Sequence, residues 1–262
     1  MTLDDDYRVS IKQVRKHINN NTIALVGSAP NFPHGVIDDI AELNHLAEYY
    51  NLMLHVDSCM GGLLTCFFEA AKIKDKIYDF RYNRVTSISA DLHKYGQAPK
   101  GVSLLLFKNA EIRRHIFFSA PKYEGGFYAT PTTSATRSPA AVVSAYMILC
   151  LLGKNHYIQQ TKNIHNAVVG IKNYVKEKLP NLVVMGNPYV SIISFTGERV
   201  AQIYDQLIKK DWNLNLLSSP IGISYAITSA NLPLIADGTF IKDLTEAYNK
   251  VFLKINATKG LR

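Results

Sequence analysis

The chain has 262 residues, 47% of them hydrophobic, and a formal charge of +8 at pH 7. That hydrophobic share excludes a disordered or fibrous chain and supplies core for one large domain, or one with a small appendage. The charge is dispersed: Lys72, Lys74 and Lys76 alternate, and Arg113-Arg114 and Lys209-Lys210 are isolated pairs. With no basic block and no recognition motif, it argues for an anionic cofactor or substrate and against a nucleic-acid groove.

Cys59, Cys66 and Cys150 are an odd set without Cys-x-x-Cys spacing. They read as reduced thiols in a cytoplasmic compartment, neither a disulfide framework nor a zinc site. The start, with Asp4-Asp5-Asp6, is acidic where a secretory signal is basic. The uncharged run from Ser138 to Gly153 is shorter than the ~20 apolar residues of a spanning helix. It reads as a buried or interface helix, and no membrane span is expected.

Taken in chain order, residues 8–21 predict an amphipathic helix and 22–26 a strand. The turn-rich loop 27–35 follows a strand end and is expected at the same sheet edge. A helix over 37–50 leads to a second strand, 52–56, that ends in Asp57. Residues 85–90 form a third strand, ending at Asp91. His93 and Lys94 follow in a turn fixed by Gly96, Pro99 and Gly101, and 102–107 returns as a strand. Strand–helix–strand alternation predicts right-handed crossovers and a mainly parallel sheet. Residues 118–139 lack periodicity but carry Tyr123, Gly125-Gly126, Phe127 and Tyr128; about twenty residues without regular structure inside a domain is usually functional. Helices over 139–153 and 155–179 come next. Short strands at 182–185 and 190–195, a helix at 198–210, strands at 213–217 and 222–227, and a helix at 238–256 suggest a second αβ unit. The expected division is 1–180 and 181–262.

A Lys and an Asp at the ends of successive strands meet the demands of pyridoxal phosphate chemistry. The ligand chemistry of open α/β sheets gathers at the carboxyl edge. A Lys amine forms a Schiff base with the cofactor aldehyde, and an Asp carboxylate keeps the pyridine nitrogen protonated so that the ring accepts electrons. Taken singly, each residue has a plainer reading. Asp57 ahead of Gly61-Gly62 fits a helix cap, and a His-Lys pair in a loop fits a solvated turn.

Three stretches carry a resemblance: His55-Val-Asp57-Ser-Cys-Met-Gly-Gly62, the run from Val85 to Gly101, and Gly125-Gly-Phe-Tyr-Ala-Thr-Pro131. Together they resemble the sphingosine-phosphate lyases, within the group II decarboxylase-like branch of pyridoxal phosphate enzymes. The resemblance implies an α/β fold of the pyridoxal phosphate-dependent transferase (aspartate aminotransferase) type, with a mainly parallel sheet and a smaller C-terminal αβ domain. It also implies cleavage of phosphorylated long-chain bases to a fatty aldehyde and phosphoethanolamine. Lys94 then matches the Schiff-base lysine, Asp57 the pyridine partner and His93 a phosphate contact. Lys100 matches a second active-site lysine that steers the substrate phosphate or moves protons, or else is a turn lysine facing water. Gly126 and Thr130 match a loop that serves the neighbouring subunit's cofactor site, so a homodimer is expected.

Ser58, Gln97, Tyr123 and Ser138-Pro139 depart from the family pattern and bear on substrate preference. The family's Gly- and Ser/Thr-rich phosphate cradle at a helix start has no counterpart before Gly27, so the chain is expected to lack the family's N-terminal part. An amino-acid decarboxylase of the same branch, and a catalytically silent partner or fragment, are the competing readings.

Overall fold

The computed structural model describes residues 2–74, 77–132 and 136–259. Lys76 and the middle of the Pro131–Pro139 segment lie outside the described residues. The opening segment follows local polar chemistry. Asp4 accepts the N–H groups of Asp6 and Arg8 at 3.0 and 2.9 Å and so closes a turn. Helix α1 (Ile11–His17) is therefore shorter than the amphipathic pattern suggests. It stops where the Asn19 side chain takes the Asn21 N–H at 2.9 Å and donates to the His17 carbonyl at 3.2 Å. Such local bonds compete with a helix.

Strand β1 (Ala24–Ser28), helix α2 (Ile40–Tyr49), strand β2 (Met53–Asp57), the short helix α3 (Gly62–Thr65) and strand β3 (Val85–Ala90) follow. Strands β1, β2 and β3 are parallel, and β4 (Leu104–Phe107) closes the row antiparallel to β3. The sheet order is β1-β2-β3-β4. The Lys94 turn thus links an antiparallel pair.

Between α4 (Ala110–Arg113) and the long helix, the structure corrects the sequence expectation. Residues 118–130 are not irregular: β5 (Phe118–Ala120) and β6 (Tyr128–Thr130) pair as an antiparallel hairpin. Strands of three residues are too short to show alternation in a sequence.

Helix α5 (Pro139–Lys178) contains a break at Gly153, whose φ of 68° is non-helical, so the two expected helices are two arms of one kinked element. By length and composition alone it holds a window apolar enough to cross a membrane, the one such helix among the described residues. Its arms differ. The second buries Tyr157, Ile164, Val168, Ile171 and Val175, whereas the first leaves Tyr146, Met147 and Leu151 exposed.

Beyond α5, β7 (Leu182–Val184), β8 (Ile192–Gly197), helix α6 (Val200–Ile208), β9 (Asn215–Ser218), β10 (Ile221–Ala226), α7 (Leu232–Ala236) and α8 (Thr239–Lys259) complete the described chain. The second sheet is wholly antiparallel, in the order β7-β8-β10-β9. One apolar cluster runs from Leu25 and Leu54 in the first sheet, through Ile164 and Val168 of α5, to Phe195, Tyr225 and Phe240.

The loop after β1 crosses between the sheets. It starts at the expected edge, where the Ala29 N–H donates to the Asp57 carbonyl at 2.8 Å. It then reaches the second sheet, where the Ser224 hydroxyl donates to the Pro33 carbonyl at 2.9 Å. Gly35 has φ of 73°, and a Cβ there would lie 2.1 Å from the Ile192 carbonyl oxygen, so only glycine fits this approach.

The Lys94 turn is itself clamped. The Tyr95 hydroxyl donates to the Ile227 carbonyl at 3.0 Å, the Tyr157 hydroxyl to the Gly96 carbonyl at 2.8 Å, and the Gln160 amide to the Tyr95 carbonyl at 2.8 Å. Burial pushes the Tyr95 hydroxyl up to about 12, so it stays a neutral donor. Tyr95→Phe should cost about 1–3 kcal/mol in urea unfolding, because a buried carbonyl loses its partner. Tyr146→Phe, on the exposed arm of α5, should change stability by less than about 0.5 kcal/mol.

Candidate active site

The parallel register sets the site. Pairing aligns Ser28 with Asp57, Asp57 with Ser89, and Ser89 with Leu105, so these four share one row and one face of the sheet. The next row on that face is Val26, His55, Ser87 and Phe107. The opposite face carries the buried Leu25, Leu54, Val56 and Ile88. The polar face is open: Val26 is 60% and Leu105 52% exposed.

On it, the Asp57 Oδ1 accepts the Cys59 N–H and the Ser89 hydroxyl, each at 3.0 Å. Burial pushes the Asp57 carboxyl up, but these donors, the Cys59 thiol and the nearby His55 outweigh it and hold the group below its ordinary value. Asp57 is therefore an anion at neutral pH. His55 Nδ1 pairs with the Ser87 hydroxyl at 2.8 Å, and burial lowers its pKa against the pull of Asp57. The Cys59 thiol touches both Asp57 and Lys94; burial and Asp57 raise its pKa, so it remains a thiol.

Partial burial alone would lower the Lys94 amine. The structure instead places an anion beside it, Asp91 Oδ2 at 2.7 Å from Nζ. Burial does push the amine down, but Asp91 and the Cys59 thiol outweigh it and raise it above the ordinary lysine value. The Asp91 carboxyl is pushed up by burial and pulled further down by Lys94, Ser103 and His93. His93 is held by its Nδ1, which donates to the Val102 carbonyl at 2.8 Å, while its Nε2 lies 3.7 Å from Asp91.

Asp57, Lys94 and His93 thus come together around Cys59 and Asp91. Lys100 is exposed on the same turn, one residue before Gly101 with φ of 97°. Gly126 and Thr130 are not drawn in. The Gly126 N–H donates to the Tyr123 carbonyl, and the Thr130 hydroxyl to the Thr132 carbonyl at 3.0 Å, within the β5–β6 hairpin.

The sequence marks Asp91 as a strand end and Cys59 as a free thiol, but assigns neither of them, nor Ser89, to the site. The signal for Ser89 was its position two before Asp91 on a strand parallel to β2, but pairing it with Asp57 needs the register. Two of the departures, Ser58 and Gln97, have partners here. The Ser58 hydroxyl is fully buried and donates to the Ala29 carbonyl, tying β2 to the crossing loop. Gln97 bonds His156 at 2.9 Å and Gln160 on α5.

A match to the pyridoxal-dependent decarboxylase conserved domain covers residues 6–197, and the chain belongs to that family. Within it, the chain is similar to the sphingosine-1-phosphate lyase of Saccharomyces cerevisiae, 44% identical over 85% of this chain and 38% of the relative. It is also similar to that of Arabidopsis thaliana, 40% identical over 95% of this chain and 46% of the relative. The chain therefore spans less than half the length of these curated relatives. The structure of a Burkholderia pseudomallei sphingosine-1-phosphate lyase superposes with a TM-score of 0.89 at 32% identity, over 98% of this chain and 60% of that one.

The family's cofactor is pyridoxal phosphate, and the residues present fit it. A persistent carboxylate at one strand end suits a protonated pyridine nitrogen, and a part-exposed amine at the next suits an aldehyde.

The ionisations give a signed expectation. The Lys94–Asp91 pair contributes its full stability below the ordinary lysine value, and the lysine's share is lost as pH rises through the raised one. The shares of Asp57 and Asp91 are present above the ordinary carboxylate value and lost as pH falls through their lowered ones. Asp91→Asn should therefore let Lys94 react with an amine-acylating reagent at lower pH than in the parent, read by peptide mass spectrometry across a pH series. An unchanged pH profile would mean that Asp91 does not hold the amine.

Proposed function

We propose that this chain serves a pyridoxal phosphate-dependent aldehyde-lyase that cleaves phosphorylated sphingoid long-chain bases to a fatty aldehyde and phosphoethanolamine. The observation that carries the reading is the Asp57–Cys59–Lys94 constellation at the ends of two adjacent parallel strands. The similarity of the chain to sphingosine-1-phosphate lyases along 85–95% of its length supports it.

When bound, pyridoxal phosphate supplies an electron sink for the pair released as the substrate's C2–C3 bond opens. Lys94 is the amine that holds the cofactor aldehyde. Its proton must first leave, and the Asp91 carboxylate at 2.7 Å opposes that loss until the ion pair opens. Asp57, held as an anion, keeps a proton on the pyridine nitrogen. His93 is anchored through Nδ1, so its Nε2 donates to a phosphate oxygen when the ring carries both protons. Lys100, exposed on the same turn, draws the substrate phosphate to the site.

The family description favours one second reading, loss of carbon dioxide from an amino acid. Product analysis separates the two: a long-chain aldehyde from a phosphorylated base supports the lyase, and carbon dioxide from an amino acid supports the decarboxylase. Borohydride reduction with added cofactor should place a pyridoxyl label on Lys94. Asp57→Asn should retain that label yet slow bond cleavage by about a hundredfold or more. A label confined to other lysines would sink the assignment.

The reading extends to assembly and setting. The chain works as a homodimer with the β5–β6 hairpin near the interface, and Gly126 and Thr130 serve the second subunit. Support comes from the apolar side chains exposed there: Phe117 at 50%, Phe118 at 57% and Phe127 at 73%. Apolar patches of this kind mark association surfaces. Light scattering should give a dimer across micromolar concentrations, and a stable monomer would contradict it. The free thiols Cys59, Cys66 and Cys150 suit a reducing, cytoplasmic setting.

A further inference from the structure

Two neighbouring concavities on the far side of the second arm of α5 are outside the site described above. The larger, about 790 Å³, lies between α5, α7 and α8. It is floored by Ala167, Gly170 and Tyr174 of α5 and walled by Leu232, Ile235 and Ile241. The smaller, about 410 Å³, is lined by Lys72, Lys74, Lys162 and His165. Asn166 lines both, so the apolar trough and the basic pocket adjoin at that residue. Each volume falls in the range of small-molecule sites, roughly 300–1,000 Å³.

Two features separate this arrangement from an ordinary surface groove. Among the described residues, no Asp or Glu lines either concavity, and none of Lys72, Lys74 and Lys162 makes an ion pair. Among the described residues, these three cations share one pocket without a counter-charge. The second feature is Gly170, placed mid-helix, where glycine is unfavourable by about 1 kcal/mol relative to alanine. Nothing lies within 4 Å of a Cβ built on it, so no close packing demands the glycine. Its effect is to leave the floor of the trough open.

We propose that this pair of concavities is a binding site for a single-chain amphiphile with a phosphate head. The chain lies along Ala167, Gly170 and Tyr174, and the head is held by Lys72, Lys74 and Lys162. Positions 163, 166, 167, 170 and 174 follow one helix face, so a straight alkyl chain can lie along it. His165 is anchored by Nδ1 to the Tyr189 carbonyl at 2.8 Å, which fixes its ring at the head end. An anionic head suits the three lysines, and a single chain suits the one apolar trough beside them. The site is independent of Lys94, so its failure leaves the lyase reading untouched.

The test is calorimetric titration of the full chain with dodecyl phosphate below its micelle threshold. Saturable binding at about 10–100 µM is expected, with dodecanol at least tenfold weaker. Lys162→Glu, Lys72→Glu and Gly170→Leu should each weaken binding about tenfold. The first two lie on the surface, and the third removes a helix-interior glycine where there is space for a side chain, so all three should fold. Lys94→Ala and Lys100→Ala should leave the affinity within about twofold. Absence of saturable binding would overturn the proposal. So would binding unchanged in Lys162→Glu and Gly170→Leu, binding abolished by Lys94→Ala, or attachment only to anionic phospholipid vesicles and not to the monomeric amphiphile.

Discussion

Everything in this molecule depends on how the turn after β3 is held. The backbone there leaves the sheet between two antiparallel strands, so its own carbonyls have no ladder to join. Buried carbonyls without partners are costly, and here side chains from elsewhere supply the donors. Tyr157 and Gln160 of α5 cap Gly96 and Tyr95, while Tyr95 reaches across to Ile227 at the end of β10. The same contacts join the first sheet, the long helix and the second sheet. The position of Lys94 is thereby coupled to the packing of the whole chain, not to one local loop.

The second constraint is electrostatic. Two carboxylates and a lysine crowd the ends of β2 and β3, and each ionisation is opposed by burial. Hydrogen bonds settle the outcome: Cys59 and Ser89 donate to Asp57, and Asp91 accepts from Lys94. The result is a resting site with both partners charged and a neutral thiol between them. It keeps Asp57 ionised and the Lys94 amine protonated for as long as Asp91 stays beside it. Reactivity is thus gated by one short ion pair rather than by desolvation of the lysine.

The face that carries these groups is the less covered of the two. Leu54, Val56 and Ile88 are sealed beneath the sheet, while Val26, Met53 and Leu105 look outward beside Asp57. The first arm of α5 and the β5–β6 hairpin add further uncovered apolar side chains. A site on an open sheet face lets water reach it, which weakens every charge interaction used there. A covering second subunit would therefore sharpen the chemistry as well as bury the apolar surface.

The strand ends, the Lys and Asp on them, and the clamped turn with its glycines were legible in the sequence because each leaves a short-range mark. Short apolar, β-branched runs mark β2 and β3, and charge at or just past a strand end marks Asp57 and Lys94. Glycine spacing marks the turn at Gly96 and Gly101. The hairpin at 118–130 was not legible, because three-residue strands carry no period. Nor was the partner of Ser89, because a parallel register depends on residues 32 apart that only packing aligns. The direction of the Lys94 shift was likewise a tertiary outcome. Burial alone predicts a lowered amine, and only the folded turn shows that Asp91, three residues away in the chain, swings back to within 2.7 Å and reverses it.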